Sequence, residues 1–185
     1  MPVNPSDHED AHFRQQDQEL RQRLRDQLSE AAGQLGQQTS VGEVPIAERI
    51  KKLGFTGEKA RVFDLMPLIH VAWADGSVSR QERATILEVV ASRGIGPGSD
   101  PYILIETLLE ERPSPEFLEQ TLAILKLAVG GARAENIVEL CVQVASASGG
   151  FLNIGKVSDA ERLLIESIAG QLGPAARDAF RRELG

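Results

Sequence analysis

Apolar residues recur every three or four positions along most of this chain, and the strict alternation of a half-buried strand is scarce. Ile46, Ile50 and Leu53 predict a short helix ending at Gly54. Thr56 is expected to cap a longer helix from Gly57 to Ala74, kinked at Pro67, where a backbone donor is missing. Gly76 suits the left-handed turn after it. Ser79 with Glu82 three residues later reads as a capping box for a helix reaching Arg93 and stopped by Gly94. Asp100-Pro101 and Ser114-Pro115 are helix starts, with Asp100 as an expected cap and the second helix spanning Glu116 to Val129. A helix from about Ala134 to Ala147 follows, then a second capping box, Ser158 with Glu161, and a helix to Gly173. Pro174 opens a last helix through Leu184. The pattern predicts an all-α fold.

Ahead of this, Leu20, Leu24, Leu28, Ala31 and Leu35 form a narrow apolar stripe on a helix otherwise rich in Gln, Arg and Glu. The chain divides into a disordered tail (1–11), an amphipathic helix and linker (12–42) and a helical domain (43–185). The stripe either docks on the domain or meets another chain; it is too short to specify a coiled coil.

Two stretches repeat. Val71-Ala72-Trp73-Ala74-Asp75-Gly76-Ser77-Val78-Ser79-Arg80-Gln81-Glu82-Arg83 is echoed by Val144-Ala145-Ser146-Ala147-Ser148-Gly149 and Val157-Ser158-Asp159-Ala160-Glu161-Arg162, with six more residues between the halves of the second copy. Leu65, Leu68, Ile69 and Ala72 correspond to Val138, Cys141, Val142 and Ala145, one helical face in each case. Two similar helical hairpins packed about an approximate two-fold axis follow from this, since one hairpin cannot bury its stripe alone.

Composition narrows the function classes. The 185 residues hold 27 acidic and 20 basic side chains, a formal net charge of −7, which argues against a nucleic-acid partner. The single cysteine, Cys141, excludes an intrachain disulfide and reads as a buried small hydrophobe. No apolar run has the length of a membrane span, and the first residues lack a signal core, so a cytoplasmic protein is expected. No nucleophile with a matched base, phosphate loop or His-Glu-x-x-His is present, and no enzymatic activity is expected.

Asp75 ends one helix and Glu82 opens the next, so a tight turn through Gly76 could bring both carboxylates toward one point. Oxygen ligands suit calcium or magnesium, or zinc if a histidine joins. A calcium loop of the EF-hand type is excluded, because its first and third positions would be Val71 and Trp73. The competing reading is purely structural: Glu82 completes a capping box and Asp75 is solvated. The second copy has Ser148 in place of Asp75, and Glu161 is a weaker candidate ligand there. His70 and Trp73 read as structural residues of an apolar helix. His8 and His12, with Asp7, Glu9 and Asp10, are a low-priority metal candidate. Phe151, Leu152 and Ile154 either tuck into the core or form a partner patch.

The Ala-Asp-Gly, hydrophobic, Ser and Glu pattern at 74–82, with Ser148-Gly149-Gly150-Phe151-Leu152-Asn153-Ile154-Gly155-Lys156-Val157-Ser158 and Glu161, resembles the TerB family of tellurite-resistance proteins over about residues 45–173. The resemblance implies an all-α, pseudo-two-fold domain with an acidic surface for divalent metal, used as a sensing or scaffolding module in chemical-stress and membrane-linked signalling systems. The expected function is a non-catalytic, divalent-cation-responsive interaction module, with Asp75, Glu82 and Glu161 at the cation and Leu20, Leu24, Leu28, Leu35, Phe151 and Leu152 toward a protein partner or a second copy. The alternative is a metal-free adaptor using the N-terminal helix and the 149–156 loop.

Overall fold

A computed structural model of the chain describes residues 5–37, 45–148 and 157–185, with side chains of the first helix described over 14–34. Leu35, Phe151, Leu152 and Ile154, and the His8/His12 group, lie outside the described side chains. The described residues form α1 (Pro5–Gln37), α2 (Ile46–Lys52), a 3₁₀ helix (Gly57–Leu65), α3 (Met66–Ala72), α4 (Arg80–Ser92), α5 (Asp100–Glu110), α6 (Pro115–Ala128), α7 (Gly131–Ala147), α8 (Asp159–Leu172) and α9 (Pro174–Leu184), with no strand among them.

Several boundaries differ from the sequence reading, each for a local reason. α1 starts at Pro5, so residues 5–11 are helical rather than a tail. Proline in the first turn and the acids at 7, 9 and 10 suit a helix N-terminus. The stretch from Gly57 to Ala74 is not one kinked helix. Pro67 cannot donate to the carbonyl four residues back and its ring crowds that carbonyl, so the preceding segment stays 3₁₀ and Pro67 falls in the first turn of a new α-helix. Thr56 makes no side-chain cap. Ser99, not Asp100, occupies the cap position of α5, and its hydroxyl donates to the Gly96 carbonyl instead. Ser114 caps α6 as expected, accepting from the Phe117 N–H at 3.2 Å.

α3 is the centre of the domain, with Met66, Leu68, Ile69, Val71 and Ala72 wholly buried. It packs against α4, α5, α6, α7 and α8. The hairpins α3–α4 and α7–α8 meet through α3 against α7, while α4 touches α7 and α3 touches α8, the crossed pairing that a two-fold relation requires. All eight matched positions are buried: Leu65, Leu68, Ile69 and Ala72, and Val138, Cys141, Val142 and Ala145. Trp73 ties α3 to α5 by donating its indole N–H to the Leu108 carbonyl at 2.9 Å. α9 closes the bundle over α7 and α8.

α1 lies across α5, α6 and α2. Leu28 (3% exposed) and Ala32 enter the core and Leu24 packs at its edge, so these positions are committed to the chain's own domain rather than to a partner. Leu20 stays 55% exposed. The inner side of α1 is pinned by Arg21 to Glu110 at 2.6 Å and to Glu106 at 3.6 Å, and by Arg25 to Glu111 at 2.9 Å. Asp64 links the 3₁₀ segment to α4 and α7 through Arg93 (2.6 Å) and Arg133 (3.3 Å). No described helix is long and apolar enough to cross a membrane.

Candidate functional site

The two repeated helix starts place two glutamates inside the protein. At the first, the Ser79 N–H donates to Glu82 Oε2 at 2.7 Å and the Glu82 N–H donates to Ser79 Oγ at 3.2 Å. At the second, the Ser158 N–H donates to Glu161 Oε2 at 2.7 Å and the Glu161 N–H donates to Ser158 Oγ at 3.3 Å. Both capping boxes are thus complete, and the structural role expected of these residues is real.

A capping box normally sits on a helix surface in water. Here Glu82 is 1% exposed and Glu161 2%, in a bundle where α4 packs on α7 and α8 packs on α3. Neither glutamate forms an ion pair with a lysine or arginine among the described residues. Burial pushes the Glu82 carboxyl above the ordinary carboxylate range; the two Ser79 hydrogen bonds oppose this, and the charges of Glu161 and Asp75 add to it. The three sequence-predicted acids therefore share one electrostatic neighbourhood.

They do not form one ready-made ligand set. Asp75 is exposed and its Oδ1 accepts from the Ser77 N–H at 3.2 Å, which fixes the turn through Gly76 (φ +95°). Among the described residues, no three His, Cys, Asp or Glu side chains gather in a way that could hold a metal ion. Ser148, the counterpart of Asp75, has its Oγ 2.8 Å from the Ala145 carbonyl and 3.3 Å from Glu161 Oε1. The asymmetry of the repeat is thus chemical: Glu82 feels the charge of an exposed carboxylate, while Glu161 meets a hydroxyl directly. Sequence spacing exposed the substitution but not the Ser148–Glu161 contact.

The family comparison covers this core. A family model described as Tellurite resistance protein TerB matches residues 65–182. The chain belongs to the TerB family. The match begins at the end of the 3₁₀ segment and runs into α9, so both hairpins of the TerB domain are inside it, while α1 and α2 lie outside. No curated protein and no solved structure matches the chain.

His70 lies one turn before Ala74 on α3 and does not reach the acidic group as a zinc ligand would. It is half-buried, and burial first, then the charge of Arg112, lowers its pKa to about 4 against a favourable contribution from the Leu118 backbone. Cys141 is wholly buried, and burial drives its thiol pKa far upward, so it stays a protonated, inert hydrophobe.

Proposed function

We propose that this TerB domain is a divalent-cation-responsive interaction module without catalytic activity, working in a cytoplasmic stress-response or signalling assembly. The observation that carries the reading is a pair of nearly buried carboxylates, Glu82 and Glu161, with no basic partner among the described residues. Buried charge is normally paired or bound to metal. A cation between the two helix starts would offset their mutual repulsion.

The donor chemistry fits a hard, partly hydrated ion. Oε2 of each glutamate serves its capping box, so Oε1 of each is the oxygen for a cation, with the Ser148 hydroxyl beside one of them. Asp75 acts at longer range, adding negative field rather than closing the site. Calcium or magnesium suits such a set, with water completing the shell; a zinc site of four protein ligands is not assembled among the described residues. Loading would tighten the contact between the hairpins, and that is the signal a partner would read.

Calorimetric titration with calcium, magnesium and zinc tests the reading. Saturable heat with calcium or magnesium, lost in Glu82→Gln/Glu161→Gln, supports it. Unchanged binding in that variant refutes it and leaves a metal-free adaptor. The exposed Leu20 on α1 favours that second reading in one respect, since it leaves a large apolar side chain open to a protein partner.

A further inference from the structure

α1 precedes the family-matched core and is fastened to it by two kinds of contact. One is apolar and narrow: Leu28 and Ala32 are buried and Leu24 packs beside them. The other is ionic, with Arg21 and Arg25 of α1 paired to Glu106, Glu110 and Glu111 at the end of α5. Between α1 and the α5–α6 connection a hollow of about 210 Å³ remains. It is bordered by Arg25, Leu28 and Ser29 on α1 and by Leu108, Pro113 and Phe117 on the domain.

The ionic contact has a fallback partner on each side. Arg21 also pairs with Asp17 of its own helix, at 2.9 Å. Arg25 also donates to the Gln22 side chain at 2.6 Å, again within α1. Glu106 and Glu110 also pair with Arg83 of α4, at 3.5 and 3.8 Å. Lifting α1 therefore leaves Arg21, Arg25, Glu106 and Glu110 each with a partner on its own side. Charges that are satisfied both in the docked and in the lifted state lower the cost of local opening. The apolar anchor is short, and a helix of this kind owes its stability to what it packs on.

We infer that α1 is a releasable strap, and that the face it covers is a docking surface for an amphipathic helix with arginines beside a leucine stripe. The charge of the face selects that partner, since Glu106, Glu110 and Glu111 all serve arginines of α1. Leu108 and Phe117, 2% and 1% exposed beside the hollow, supply the apolar ground. α1 itself shows the fit: Arg21 and Arg25 each stand three residues before a leucine, Leu24 and Leu28, that packs on the domain. A partner helix of that pattern displaces α1 and takes over its acids. The surface shares no residue with the acidic pair, so the inference does not rest on the cation reading.

The test uses the full chain in chelator-containing buffer, with two readouts. Hydrogen exchange of the parent should show the amides of 21–32 exchanging at least about ten-fold faster than those of α3 and α7. The rate should rise again between about 0.05 M and about 0.5 M sodium chloride, as screening weakens the ion pairs. A fluorescent peptide of residues 14–34 then probes the face. It should bind Arg21→Glu/Arg25→Glu, whose own strap meets the acids with like charge, about ten-fold more tightly than the parent. Arg21→Gln alone removes one attachment without adding repulsion, and its affinity should fall between the two. The peptide carrying Arg21→Glu/Arg25→Glu should bind none of them. Exchange of α1 that matches α3 and α7 or ignores salt would overturn the inference. So would peptide binding that is absent from the loosened chains, equal for loosened and parent chains, or equal for the charge-reversed peptide.

Discussion

Glu82 and Glu161 occupy equivalent places in two repeated capping boxes, yet each is almost fully buried, and the charge of Glu161 is felt at the Glu82 carboxyl. A residue pair that would be routine on two separate helices becomes a like-charge pair once the hairpins cross. The same side chains therefore start the helices and carry carboxylates into the interior.

That tension separates two substitutions at one position. The raised pKa of Glu82 means that its ionised form is disfavoured in the fold, so its penalty is absent at low pH and grows as pH rises past the ordinary value of 4.5. Glu82→Gln keeps a capping partner at the third helical position and removes the charge. In metal-free buffer it should be more stable than the parent at pH 7, with the difference closing toward pH 4. Glu82→Ala should instead lose about 1 kcal/mol of capping. Urea unfolding of the three proteins across this range reads both effects.

His70 has the opposite sign. Its pKa falls from 6.5 to about 4 on folding, so the unfolded chain binds the extra proton first and stability drops as pH falls through that window. The loss is on the order of 2–3 kcal/mol. It is best isolated in a Glu82→Gln background, where the opposing slope is gone, and His70→Gln should flatten the profile. A profile equally steep in that variant assigns the acid sensitivity elsewhere.

The docking of α1 has a sharp steric test. Gly54 has φ +93°, and a Cβ there would lie 2.6 Å from Leu28 Cδ2. Gly54→Ala should destabilise the protein by about 1–2 kcal/mol from backbone strain, and by more through the clash. Leu28→Ala should cost about 2–5 kcal/mol by vacating a core position. The double variant should cost less than the sum, since removing Leu28 frees the space the new methyl needs. Strict additivity in thermal unfolding would mean that α1 does not sit on Gly54 in solution.

Ser148 marks where the two halves diverge. Ser148→Asp restores the acid found at position 75 of the first copy and sets a carboxylate where Oγ now lies 3.3 Å from Glu161 Oε1. Without metal the variant should be less stable than the parent. With calcium it should bind about ten-fold more tightly, because affinity rises with ligand charge. Weaker calcium binding in this variant would place the ion away from Glu161.

What the sequence made legible was local. The two capping boxes, the Ser114 cap, the turn at Gly76 and the matched core faces are fixed by residues within a few positions of one another, and all appear as read. Pro67 was visible as a break, but whether it kinks one helix or begins another depends on the 3₁₀ segment before it. The burial of Glu82 and Glu161 could not be read from spacing, because it depends on how the helices pack in three dimensions. The same holds for Leu28 over Gly54 and for the arginine pins of α1.

The central claim is that a cation sits between Glu82 and Glu161. Titrating the Glu82 side-chain carboxyl by carbon-13 resonance, with and without saturating calcium, tests it most directly. The predicted result is a Glu82 pKa that falls from its raised value when calcium is added, with the fall abolished in Glu161→Gln. An identical Glu82 titration in the presence and absence of calcium would contradict it.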